Sequence, residues 1–207
     1  QHITPRFTAE QIESLVAPLK AENERLRTGY REDSDIRLEQ GQGELELVIS
    51  GMRQLTPRIR SYELSDPQGR ALPPFLAGAH LQVPIRLESG ENALRHYSIS
   101  SNPSDLNRYE IAVLREDDGR GGSLALHQQY QLGGQLHTSL PQGHFTLHDD
   151  QRPAVLIAGG IGITPLKAMV QQLQERTADF HLHYLSRSKR EMAFVELLEQ
   201  LIPENLS

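Results

Sequence analysis

A chain of 207 residues, 37% of them hydrophobic, is long enough to bury a sizeable core and to form either one large domain or two modest ones. Lys+Arg 21 against Asp+Glu 27 leaves a formal net charge of -6 with no basic run, which argues for neither nucleic acid nor an anionic membrane as partner, and the longest apolar run, Ala154 to Ala158, is far too short to span a bilayer. Without cysteine there is no disulfide framework and no thiolate set for a [2Fe-2S] cluster, so the chain reads as a soluble, cytoplasmic protein with no such centre of its own.

Position 1 is Gln and no secretory apolar segment follows, as expected of a processed chain or a piece of something longer. Residues 1–43 read as a helical N-terminal extension and linker. Thr8-Ala9-Glu10-Gln11 fits a capping box, and Ile12, Leu15, Val16 and Leu19 follow at helical spacing. Pro18 predicts a kink or a second helix start, and the charged and glycine-containing stretch from Arg31 to Gly43 reads as a linker. This extension is either a docking element or tail of an upstream domain, or a helix packed on the rest of the chain.

From Gly43 the apolar period becomes two. Leu45, Leu47 and Ile49 alternate with polar residues, as do Ile59, Tyr62 and Leu64 approximately, and then Leu81, Val83, Ile85 and Leu87. Further strands are predicted at Leu94 to Ser100, Tyr109 to Leu114 and Gln135 to Leu140, with turns at Asp66-Pro67-Gln68-Gly69 and Glu88-Ser89-Gly90-Glu91. Six short strands between turns predict an antiparallel β-barrel over residues 44–150.

Two segments within it carry chemistry. Arg95-His96-Tyr97-Ser98 supplies a cation, a ring and a hydroxyl in four residues, with Arg95 and Tyr97 on one face of an extended strand and His96 and Ser98 on the other. A guanidinium fork matches two phosphate oxygens, a tyrosine ring can lie on a flat heterocycle, and a serine hydroxyl can reach its edge. Gly119-Arg120-Gly121-Gly122-Ser123 follows; Gly121 and Gly122 remove Cβ atoms that would keep a phosphate off the backbone, and Ser123 opens a short helix to Gln129. The pair suits flavin mononucleotide. The plain alternative is an ordinary strand and a glycine turn.

Near residue 150 the pattern changes to β-turn-α. Ala154 to Ala158 reads as a strand buried on both faces, Gly159-Gly160-Ile161-Gly162-Ile163-Thr164-Pro165 follows as a glycine turn, and Leu166, Met169, Val170 and Leu173 mark one face of a helix capped by Thr164. Phe180, Leu182 and Tyr184 read as a second strand, Ser188 to Glu191 as a capping box, and Phe194, Leu197, Leu198 and Leu201 as a second helix face. Residues 151–207 therefore read as the first half of a doubly wound α/β domain. The glycine turn either brings a nucleotide to a helix N-terminus or merely turns the chain tightly.

Taken in order, Arg95 through Asn102, Ile111-Ala112-Val113, Gly119 to Ser123 and Gly159 to Pro165 resemble the ferredoxin reductase superfamily, and within it the phthalate dioxygenase reductase and vanillate demethylase reductase branch. The resemblance implies that the barrel binds FMN, with FAD as the alternative, through Arg95, His96, Tyr97, Ser98, Ala112, Val113, Leu114, Gly121, Gly122 and Ser123, with Tyr97 and Ser98 at the reacting centre. It implies that Gly159, Gly160, Gly162, Thr164, Pro165, Ser186 and Arg187 hold NADH or NADPH, and that electrons leave to an acceptor protein or a fused oxygenase domain. Departures from the family are the N-terminal extension, the missing later strands with their Cys-Gly-Pro stretch, Leu114 where a lysine often stands and Ser101 in place of a cysteine. The rival reading is a non-catalytic flavin-binding or docking module with an incomplete nucleotide domain. Nine histidines invite a metal reading, but His181 and His183, or His137, His144 and His148, lack acidic or cysteine partners at zinc spacing, and no metal is expected.

Overall fold

Side chains that alternate across a strand give it one inward and one outward face, and the outward face stays polar only where water meets it. In this computed structural model, which describes residues 44–207 apart from 144 and 151, together with Ala17, that rule separates two kinds of strand. The helical extension expected over residues 1–43 lies outside the described residues, as does His144.

The first half contains β1 (Leu45–Gln54), β2 (Ile59–Ser65), β3 (His80–Arg86), β4 (Asn92–Ser98), β5 (Tyr109–Leu114), a helix α1 (Gly122–Gln129) and β6 (Gln135–Thr138). All six expected strands are present, but their ladders divide four and two: an antiparallel sheet in the order β5-β2-β1-β6, and a β3-β4 hairpin. Bridges from Ile99 to Ile111 and from His80 to Gln142 tie the hairpin to β5 and to the segment just after β6. Both sheets curl over one core that includes Leu47, Tyr62, Leu81, Val83, Ile111 and Leu126.

Strands β2 and β5 bury side chains from both faces, although Glu63 on β2 keeps its side chain 40% exposed. Tyr62, Leu64, Ile111 and Val113 enter this first core, whereas Ile59 and Ala112 enter a second one, with Leu114 packed against it. Ladder partners confirm the geometry, since Ile59 lies opposite Leu114 and Ser61 opposite Ala112. The imperfect alternation from Ile59 to Tyr62 is thus a change of face between two cores.

The second core belongs mainly to the α/β half: β7 (Ala154–Gly159), α2 (Ile163–Glu175), β8 (Phe180–Leu185) and α3 (Val195–Leu201). β7 and β8 pair in parallel, and a bridge at Leu206 adds the end of the chain beside β8. Leu166, Met169, Val170 and Leu173 are all buried, as their spacing predicts. Residues 44–207 fall within one compact unit.

Several local expectations need correction. Helix α1 starts at Gly122, behind Gly121 at φ 77, rather than at Ser123. Helix α2 starts at Ile163 behind Gly162, so Thr164 is its second residue and turns its hydroxyl back to the Ile161 carbonyl, 3.1 Å away, instead of capping; Pro165 is then its third. Residues Lys189–Glu191 form one 3₁₀ turn with no side-chain cap, and α3 begins only after Phe194, held at φ 62. Val155 is 54% exposed, because only the face carrying Leu156 and Ala158 is covered among the described residues, and Leu197 and Leu201 are exposed too.

Gly78 sits where the halves meet. Its φ is +93, and a Cβ there would stand 1.8 Å from the Phe145 carbonyl oxygen and 2.8 Å from Met169 Cε on α2. Replacing Gly78 by Ala is expected to lower unfolding free energy by about 2 kcal/mol or more, from left-handed strain and displacement of the Phe145 backbone together. Urea denaturation followed by far-UV circular dichroism checks this.

Candidate flavin and nucleotide site

Strand register fixes what Arg95 and Tyr97 face. Tyr97 lies opposite Leu81 and Arg95 opposite Val83, both on the inner side of the hairpin. Tyr97 packs on the first core, and burial raises its phenol well above the usual tyrosine range, so it stays protonated. His96 is on the other face, its ring stacked on His80 with centroids 4.9 Å apart and planes 13° from parallel. Burial, and then the charge of Arg95, lower its pKa from the ordinary imidazole value. Ser98, opposite His80, shares that second face.

The decisive contact lies between the two segments that the sequence separates by some twenty-five residues. A Cβ on Gly122 would stand 2.5 Å from Arg95 Nε and 3.1 Å from its Cζ, so the guanidinium lies directly against the first residue of α1. Arg95 Nη1 donates to the carbonyl of Leu94 at 2.8 Å, which steadies the side chain. A cation thus sits beside a helix N-terminus whose free amides also favour an anion, and only a glycine leaves room for both. Ser123 is partly committed: its Oγ accepts from the Glu116 backbone N–H at 3.0 Å. Ala112 and Val113 bury their side chains in separate cores, so a ligand could meet them only through the backbone of β5, an edge strand. The Val113 carbonyl already accepts from His127 Nε2 at 3.0 Å.

Glu116 connects this cradle to a cleft of about 670 Å³ between the two halves. The cleft gathers Leu114 from β5, Gly159 and Gly160 from the end of β7, and Ser186 and Arg187 from the end of β8. These lie at the carboxyl ends of parallel strands, where open α/β sheets bind ligands. A Cβ on Gly159, Gly160 or Gly162 would meet nothing within 4 Å, so packing does not demand glycine there, although Gly160 has φ +51. Tyr97, Ser98, Gly162, Thr164 and Pro165 do not line this cleft. Thr56, Arg58 and Glu191 do, and sequence reasoning missed the first two and read Glu191 as part of a cap. Arg58 is held by two donations to the Arg115 carbonyl, at 3.1 and 2.9 Å, a contact 57 residues apart that no local pattern announces.

The family described as "Oxidoreductase FAD-binding domain" matches residues 46–147. Residues 46–147 belong to that family. Vanillate O-demethylase oxidoreductase of Acinetobacter baylyi is 39% identical over 162 residues, 78% of this chain and 50% of its own length. The solved structure of phthalate dioxygenase reductase, a modular protein for electron transfer from pyridine nucleotides to [2Fe-2S], superposes with a TM-score of 0.72 at 37% identity, over 79% of this chain and 50% of the other. That of an intact type IV self-sufficient cytochrome P450 monooxygenase does so with 0.73 at 32% identity, over 92% of this chain and 24% of the other. The chain spans about half the length of the curated relatives it matches. The ferredoxin-reductase-like fold and a flavin as the cofactor class follow from these matches together with the antiparallel and α/β halves.

Among the described residues, no group of three or more His, Cys, Asp or Glu is placed to hold a metal ion, and no helix is long and apolar enough to cross a membrane.

If the Arg95–Gly122 contact forms the phosphate end of the flavin site, Arg95→Ala and Gly122→Val should each weaken flavin binding by about tenfold or more, equivalent to about 1.4 kcal/mol. Because both act at one spot, the double variant should be little worse than either alone. Fluorescence titration of the flavin-free protein measures all three.

Proposed function

We propose that the chain is the flavin- and nucleotide-binding part of an electron-transfer reductase, taking reducing equivalents from NADH or NADPH through FMN to a metal-containing oxygenase or ferredoxin acceptor, separate or fused. The observation that carries the reading is the Arg95 guanidinium lying against Gly122 at the start of α1, within reach of the cleft through Glu116. Bound flavin supplies the chemistry: it takes a hydride from a nicotinamide and releases electrons singly.

The chain's own residues bind and orient. Arg95 and the first amides of α1 pair with the phosphate, and Gly121 and Gly122 let it reach the backbone. The protonated Tyr97 offers a ring face against the flavin, and Ser98 offers a hydroxyl to its edge. Gly159 and Gly160 leave space for the nicotinamide end of the nucleotide, Gly162, Thr164 and Pro165 shape the start of α2 behind it, and Ser186 and Arg187 meet the adenosine end. FMN is favoured over FAD because a guanidinium beside a helix N-terminus suits a terminal monophosphate dianion. The names of the relatives support the acceptor class: an oxidoreductase of vanillate O-demethylation, a reductase for phthalate dioxygenase and a P450 monooxygenase.

The test is an anaerobic visible spectrum of the purified chain before and after NADH, with mass spectrometry of the released chromophore. Flavin bands that bleach support a working reductase; bands that persist support a flavin module without a competent nucleotide site; no bands refute the reading. Gly159 gives the sharper variant. Its φ of −118 is ordinary and a side chain there would meet no neighbour, so Gly159→Val should leave folding and bound flavin unchanged while raising KM for NADH about tenfold or more by filling the cleft.

A further inference from the structure

A lysine is buried at the junction of the halves. Lys167, on α2, has a side chain only 6% exposed, and its Nζ lies 2.7 Å from Oε2 of Glu110, itself 16% exposed. The ammonium also donates to the Ser100 carbonyl at 2.9 Å and stands 4.7 Å from the centre of the Phe194 ring. The Ser100 hydroxyl donates to the same Glu110 Oε2 at 3.0 Å, and the Glu110 N–H donates to Ser101 Oγ at 3.1 Å. Glu110 lies on the same face of β5 as Ala112 and Leu114, so this polar cluster continues the apolar contact that joins the two halves.

A second anchor lies eight residues along the same helix, about 12 Å at the rise of an α-helix. Glu175 accepts from Asn102 Nδ2 at 2.7 Å and from Ser104 Oγ at 2.6 Å, and these two donors hold its carboxyl below the usual range. Helix α2 is therefore fastened to the segment Ser100–Ser104 at two points eight residues apart, which fixes its direction as well as its distance.

Replacing a buried ion pair with apolar groups is often neutral or stabilising, so stability alone does not account for a lysine at this site. Its location does. Ser100 follows Ser98 of the flavin strand by two residues, and Lys167 follows Thr164, beside the glycine turn, by three. We infer that Lys167 is a positioning residue: through Ser100 and Glu110 it sets where the strand that carries the flavin contacts lies relative to the helix that carries the nucleotide turn, and so the spacing of the two reacting rings. This rests on the reductase reading above.

The test uses the flavin-loaded chain and two variants, Lys167→Met/Glu110→Gln and Lys167→Arg. The double variant removes both charges together, so no uncompensated buried charge is left to unfold it. Expected for the double variant are flavin and NADH dissociation constants within about twofold of wild type, and a hydride-transfer rate, read by anaerobic rapid mixing, lower by about 10- to 100-fold, the order that a misplacement of about 1 Å costs. Amide hydrogen exchange over residues 99–104 and 163–167 should quicken in parallel, and Lys167→Arg, which can still donate to both partners, should recover most of the rate. An unchanged rate in a double variant that retains flavin overturns the inference. If the wild-type chain holds flavin but NADH does not reduce it, the reductase reading fails by itself. The exchange measurement then decides alone: unchanged protection of residues 99–104 in the double variant overturns the role of Lys167.

Discussion

The structure depends on one pair of strands that sends side chains into both cores. β2 and β5 send Tyr62, Leu64, Ile111 and Val113 into the antiparallel half and Ile59, Ala112 and Leu114 toward the α/β half, so a single two-stranded wall belongs to both cores. Apolar burial of this kind is non-directional and fixes only that the halves adhere. Direction comes from the polar contacts at the margin of the wall, where Lys167 meets Glu110 and Ser100 and where Glu175 meets Asn102 and Ser104. The cleft opens where the same wall runs out at Leu114. The cleft is flanked by the start of β2 and the end of β5 from the first half and by the ends of β7 and β8 from the second.

Much of this was legible in the residues. Residue patterning located all six strands of the first half within a few residues, since five of them bury residues in an apolar core and β4 packs Tyr97 against it, and the spacing of Leu166, Met169, Val170 and Leu173 gave the buried face of α2. The closeness of Arg95 to the Gly121-Gly122 turn was also legible, because an arginine fork and a Cβ-free helix start are chemistries that suit the same kind of ligand. What no pattern could give was that Arg95 itself would occupy the space a Gly122 side chain would need.

The misses have two causes: some local signals were spent on other local contacts, and others depended on a partner distant in sequence. Ser188 to Glu191 has the spelling of a capping box, yet the chain spends it on a 3₁₀ turn and starts α3 only after Phe194. Thr164 has the spelling of a cap, but the helix begins one residue before it, behind Gly162. Lys167 interrupts a helical segment that is otherwise buried, and that polar residue among apolar neighbours was the one available hint of Glu110, 57 residues away. Sheet connectivity was equally hidden, because the division of the six strands into four and two is decided by ladder partners and by bridges such as Ile99 to Ile111.

The central claim is that Arg95 and the start of α1 form a phosphate cradle, and comparing riboflavin with FMN on the flavin-free chain addresses it most directly. The two ligands differ only by the phosphate. FMN should bind about 100-fold or more tightly than riboflavin, through charge-assisted hydrogen bonds worth about 3 kcal/mol together, and Arg95→Ala should remove most of that difference while leaving riboflavin affinity unchanged. Equal affinity of the wild-type chain for riboflavin and FMN would contradict the account at its root.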